Sequence, residues 1–133
     1  MTNHTDADQL TAAFEITSWE QSAEGDLGRA FVSKTFSGAL TGTSSAELIM
    51  AGGEGGRGYI ANEVFTGTLN GLEGTLVFQH GGIDDGAAPF SYGHIVPGAG
   101  TGDLQTVSGQ ITYAHDEAGA RVTLVVKGLP MTS

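Results

Sequence analysis

Three glutamates interrupt otherwise apolar stretches of this 133-residue chain: Glu15 in Ala13-Phe14-Glu15-Ile16, Glu47 in Ala46-Glu47-Leu48-Ile49, and Glu63 in Asn62-Glu63-Val64-Phe65. In a strand, successive side chains point to opposite faces, so such an acid either meets solvent or points into a polar interior. Two carboxylates on one low-dielectric face would push one pKa upward and form an acid/base couple. His80, closing Leu76-Val77-Phe78-Gln79-His80-Gly81-Gly82, is suited to proton transfer near neutral pH. Glu63, Glu47 and His80 are therefore the candidate catalytic residues. Lys34 could pair with these acids inside a cavity, and Glu15, Trp19, Lys34, Gln79, Tyr92 and His94 form the candidate ligand-binding set.

Each residue also has an ordinary structural reading. A strand glutamate is a solvated outer residue, a histidine at a strand end is a hydrogen-bonded structural group, and Trp19 is a core plug. Register decides between them for the acids. A turn centred on Gly55 places Glu47 opposite Glu63, and one centred half a residue earlier places it opposite Asn62 with the acids on opposite faces. Glu63 shares its face with Tyr59, Ala61 and Phe65, a row in which a carboxylate needs a partner; closure of the next hairpin at Asn70-Gly71 brings Gln79 or His80 within diagonal reach.

The elements that must hold these residues are strands. The 22 glycines punctuate alternating or β-branched runs at intervals of roughly ten residues, as in all-β domains. Eight strands are expected, over 9–18, 27–36, 41–50, 59–66, 74–80, 90–96, 105–115 and 120–127. No glycine-free window carries a capped amphipathic helix. Phe36-Ser37-Gly38-Ala39-Leu40-Thr41-Gly42 matches Phe65-Thr66-Gly67-Thr68-Leu69-Asn70-Gly71, with an echo in Gly102-Asp103-Leu104, as if one tight corner were used three times. Eight antiparallel strands leave two exposed edges unless the sheet closes. An up-and-down barrel is favoured over a two-sheet sandwich, as one domain over 9–128 with tails at 1–8 and 129–133.

Composition excludes several functions. A formal charge of -10, from 15 Asp and Glu against 5 Lys and Arg, leaves no cationic groove for nucleic acid and repels anionic membrane. Without cysteine there is no disulfide, thiolate zinc site or cysteine nucleophile, and the four histidines, His4 and His115 among them, lack metal-ligand spacing, so no metal and no cofactor are expected. The runs 52–56 and 97–102 are glycine-rich but open no helix and carry no Gly-Lys-Ser/Thr ending, so they read as loops. The opening residues lack the basic start and apolar run of a secretory leader, and a cytoplasmic location is expected.

Together, Phe14-Glu15-Ile16-Thr17-Ser18-Trp19, Lys34-Thr35-Phe36-Ser37-Gly38, Gly42-Thr43-Ser44-Ser45-Ala46-Glu47, Glu63-Val64-Phe65-Thr66-Gly67, Phe78-Gln79-His80-Gly81 and Val96-Pro97-Gly98-Ala99-Gly100-Thr101-Gly102-Asp103-Leu104 carry a resemblance over residues 10–127. The chain resembles a bacterial family of unknown function grouped with allene oxide cyclase-like barrels. That resemblance implies an eight-stranded antiparallel barrel, frequently oligomeric, and no established activity. More distantly it is similar to allene oxide cyclases, which close a fatty-acid-derived epoxide without a cofactor, and to dirigent proteins, which steer phenolic radical coupling. The plant cyclases carry a cavity cysteine that this chain lacks, so no catalytic residue transfers from them.

Three functions follow as expectations. The barrel binds a small apolar or amphiphilic molecule and isomerises or cyclises it, or carries such a molecule without turnover, or is a homo-oligomeric structural module with a filled interior. An open interior with a buried carboxylate favours the first, an open apolar one the second, and a filled one the third.

Overall fold

A computed structural model describes residues 8–21, 27–86, 89–116 and 119–130. The strands are β1 (Asp8–Gln21), β2 (Leu27–Gly38), β3 (Leu40–Gly53), β4 (Gly56–Leu69), β5 (Leu72–Asp84), β6 (Phe90–Ile95), β7 (Thr101–Gly102), β8 (Ser108–Asp116) and β9 (Gly119–Lys127). All pairings are antiparallel, and the ring β1-β2-β3-β4-β5-β6-β8-β9 closes through β9 on β1. This is a closed eight-stranded barrel, with β7 a two-residue extension that pairs with β5 beyond the end of β6. Among the described residues there is no helix, and hence none long and apolar enough to cross a membrane. His4 and most of the expected tail at 1–8 lie outside the described residues, as does 131–133.

All eight expected strands form, most of them longer than expected. β4 and β5 run straight through Gly67, Gly74, Gly81 and Gly82, where the sequence suggested ends. β8 starts later than expected because Leu104 and Val107 are folded into a turn, with Val107 N–H donating to the Leu104 carbonyl, and both side chains plug one end of the barrel. The repeated heptapeptide makes two different corners. Ala39 alone turns β2 into β3, and Asn70–Gly71, both at positive φ, form the two-residue turn between β4 and β5. The repeats instead pair with each other, Leu40 opposite Leu69 and Gly42 opposite Gly67, and a Cβ on either glycine would run into the facing backbone.

The interior is filled at that end only. Phe36, Phe65 and Phe78 are buried, with Phe36 edge-on to Phe65 at 5.5 Å and Phe65 stacked on Phe78 at 6.3 Å. Leu40, Leu69, Leu76, Leu104 and Ile111 complete the plug. Burial of each large side chain stabilises the fold by roughly 1.5–3 kcal/mol. Toward the other end the inward row thins to Ala30, Ala46 and Ala61, and the barrel is hollow. On the outside, Phe31, Ile49, Ile60, Ile83, Phe90 and Tyr92 stand about half exposed. The register strings the last five together across β3 to β6: Ile49 faces Ile60, Ile60 faces Gly81, Gly81 faces Tyr92, and Ile83 faces Phe90.

Candidate functional site

The hollow half is an open cup of about 1080 Å³. Its walls include Ile16, Trp19, Val32, Leu48 and Met50, and its floor is formed by Phe14, Lys34, Tyr59, His80 and Tyr113. The local fold explains why Trp19 is there. A β-bulge between Ile16 and Ser18 inserts Thr17 as an unpaired residue, so that Ile16 pairs with Lys34 while Trp19 pairs with Val32, both on the inner face. Were Thr17 paired in regular alternation instead of bulged out, Trp19 would share the outward parity of Glu15.

Beneath the floor sits Glu63, with no exposed surface. Its Oε1 accepts hydrogen bonds from Tyr113 Oη at 2.6 Å, His80 Nε2 at 2.8 Å and Lys34 Nζ at 3.1 Å, and its Oε2 accepts one from Ser44 Oγ at 2.5 Å. Burying a carboxylate costs several kcal/mol unless it is paired and hydrogen-bonded, and here β2, β3, β5 and β8 each supply one donor. Burial alone would raise the Glu63 pKa; the His80 hydrogen bond, the Lys34 charge and the two hydroxyls outweigh it and hold the group at about 2. Lys34 is drawn below its usual value by burial, with Glu63 opposing. Its ammonium also lies over two aromatic faces, 4.4 Å from the Tyr113 ring centre and 5.1 Å from that of Phe14.

A second chain of contacts leads from Glu63 to the cup. Because an ionised carboxylate only accepts, His80 Nε2 carries the proton on that side; in the neutral ring Nδ1 then accepts from Tyr59 Oη, 3.0 Å away. Burial, and then the Glu63 charge, push the Tyr59 hydroxyl up to about 12. Tyr113 is raised well above the usual phenol value, by burial and again by Glu63. Both phenols stay protonated at neutral pH. Glu63, His80 and Tyr59 thus form an acid–imidazole–phenol series ending on the cup surface.

The family described as a protein of unknown function (DUF3224) matches residues 10–125. The chain belongs to the DUF3224 family. Among solved structures it is similar to a DUF3224-family protein of unknown function from Shewanella oneidensis MR-1, whose crystal structure was determined at 1.84 Å. The TM-score is 0.83 and the identity 26%, with 95% of this chain and 100% of that one covered. No match was found among curated protein sequences.

In this DUF3224 barrel, Glu63, His80 and Lys34 converge, and Trp19 lies at the mouth. His80, not Gln79, is the Glu63 partner. Five candidates are displaced to the outer face. The β3–β4 turn is Glu54–Gly55, centred half a residue before Gly55, so Glu47 pairs with Asn62 and points outward, 3.2 Å from Arg29. Glu15 pairs with Thr35, one step out of phase with the inward Phe14, and is exposed. Gln79 alternates with His80 and donates to Asn62 on the outside at 2.8 Å. His94 pairs with Gln79 on that same outer face, and Tyr92 pairs with Gly81 there, over the space left by the missing side chain.

The sequence reading missed Ser44, Tyr59 and Tyr113 as site residues. Tyr59 had a signal, since it lies four residues before Glu63 on the same face. Tyr113 had none, since it meets Glu63 from across the lumen, fifty residues away. Among the described residues no group of three His, Asp or Glu side chains is placed to hold a metal.

Proposed function

We propose that the cup binds a small apolar or amphiphilic molecule with its polar end on the floor, and that the floor moves a proton on it in a cofactor-free isomerisation or cyclisation. The observation that carries this reading is the division of the interior: half is plugged, and the open half ends on a cluster of buried ionisable groups. A proton leaving the ligand is taken by the Tyr59 oxygen as the Tyr59 proton passes to His80 Nδ1, and the imidazolium so formed lies 2.8 Å from Glu63. Lys34 supplies fixed positive charge for an oxyanion developing on the ligand. Glu63 contributes no surface to the cup and acts as a positioning residue, not a contact. That its charge is met by four donors also favours the second reading, a carrier with the same pocket and no turnover.

Native mass spectrometry of protein purified without denaturation tests the pocket. Wild type is expected to retain a small molecule, or to take up an added long-chain alcohol, and Met50→Trp, which fills the wall, is expected to exclude it. Wild type that binds neither overturns the reading. The half-exposed outer residues also support association with a second copy of the chain. Their neighbours Arg29 and Glu47 pair with each other at 3.2 Å, which lowers the net charge this face presents to a second copy. Sedimentation equilibrium showing only monomer at micromolar concentration would contradict that.

A further inference from the structure

The chain has two lysines, and they occupy opposite environments. Lys127 is exposed at the end of β9, and Lys34 is buried at the floor of the cup with its side chain among the lining groups. An ion pair that served only the fold would be better made by arginine, whose planar fork grips a carboxylate with two hydrogen bonds. A lysine at the bottom of an apolar cavity offers something arginine lacks, a primary amine able to condense with a carbonyl.

We propose that Lys34 is an imine-forming lysine, whose ε-amine condenses with the carbonyl carbon of a hydrophobic aldehyde bound in the cup, with Glu63 as the fixed counterion of the protonated imine. This rests on the cup being a ligand site and names the ligand's reactive class. The amine must lose a proton to attack, and the open cup lets solvent take it while Glu63, its pKa held at about 2, stays ionised 3.1 Å away. Burial works in the same direction by disfavouring the ammonium form.

The step balances without a further reactant. Lys34 nitrogen bonds to the aldehyde carbon as the carbonyl oxygen becomes the hydroxyl of a carbinolamine. A proton returns from solvent to that hydroxyl, the carbon–oxygen bond breaks, and one water leaves as the nitrogen lone pair forms the carbon–nitrogen double bond. Ammonium plus aldehyde thus become iminium plus water, with no net proton exchanged and nothing oxidised or reduced. The product charge occupies the place of the ammonium it replaces, between Glu63 and the faces of Phe14 and Tyr113. The aliphatic tail lies along Val32, Leu48 and Met50 toward Trp19.

The test is reductive trapping on the intact chain, with decanal and sodium cyanoborohydride, followed by peptide mapping that reads Lys34, Lys127 and the terminal amine separately. The expected result is one decyl group on Lys34, formed about tenfold faster than on Lys127. Excess decanol suppresses the Lys34 label but leaves the Lys127 label unchanged, and Lys127→Arg does not alter labelling at Lys34. Binding is read independently through the fluorescence of Trp19, the only tryptophan, on addition of decanol. If decanol binds but Lys34 is labelled no faster than Lys127, the imine is overturned and the pocket stands. If decanol does not bind and Lys34 stays unlabelled, both fall.

Discussion

Gly93 on β6 lies directly across the ladder from His80 on β5, and a Cβ at that position would sit 2.5 Å from the His80 Cβ. The imidazole that links Glu63 to Tyr59 therefore occupies room that only glycine leaves open. Gly93→Ala is expected to cost about 1–3 kcal/mol by overpacking, measured by urea denaturation. It should also displace the ring, seen as a changed His80 imidazole shift by NMR. Unchanged stability together with an unchanged ring signal would contradict this.

Removing one partner of the buried pair should be far worse than removing both. Glu63→Leu strands the Lys34 ammonium and is expected to cost about 3–5 kcal/mol. The double change Lys34→Met with Glu63→Leu removes both charges and should recover a large part of that loss, read from denaturation midpoints. No recovery in the double variant would show that the ion pair itself is net stabilising.

Acid should act through Glu63. Its folded pKa of about 2 lies below the usual 4.5, so the unfolded chain binds the proton more readily. The resulting stabilisation is present above pH 4.5 and is lost as pH falls toward 2. In alkali the phenols act oppositely: Tyr59, raised from 10 to about 12, contributes stability below pH 10 that is lost as pH rises through 12. Tyr113 adds to this, and the lowered Lys34 partly offsets it. Denaturation midpoints of wild type and Tyr59→Phe across both limbs check the signs; the variant should lose part of the alkaline dependence and keep the acid limb.

Deleting Thr17 should leave Trp19 facing the cup. The deletion removes the unpaired residue, so strict alternation then runs Ile16 inward, Ser18 outward and Trp19 inward, with the pairings to Lys34, Ser33 and Val32 kept. The expected outcome is a folded barrel whose tryptophan emission still responds to decanol and is no more open to acrylamide than in wild type. A lost ligand response with stronger acrylamide quenching would show that the strand slips register when the bulge is removed.

The strands were legible because alternation and glycine spacing are local. Glu63 and His80 were legible as a pair because one hairpin with a recognisable Asn70–Gly71 turn relates them. Glu47 was not resolvable, since the run 52–56 allows two closures differing by half a residue, and that difference moves a side chain through the wall. Tyr92 and His94 failed on parity: β6 faces inward with Ser91, Gly93 and Ile95, small or apolar residues that gave no chemical signal. Tyr113 belongs to the site through closure of the ring, which no neighbouring pair of strands predicts, whereas Ser44 is a diagonal neighbour of Glu63 across the β3–β4 ladder and was hidden by the same half-residue ambiguity.

The plugged half and the hollow half make different demands on change. A substitution among Phe36, Phe65 and Phe78 opens a void in a packed interior and is felt in folding. Ile16 and Trp19 are about half exposed at the mouth, so altering them reshapes the cup at little cost to the plug. The mouth can thus be altered while the packed plug and the buried Lys34–Glu63 pair at the floor stay as they are.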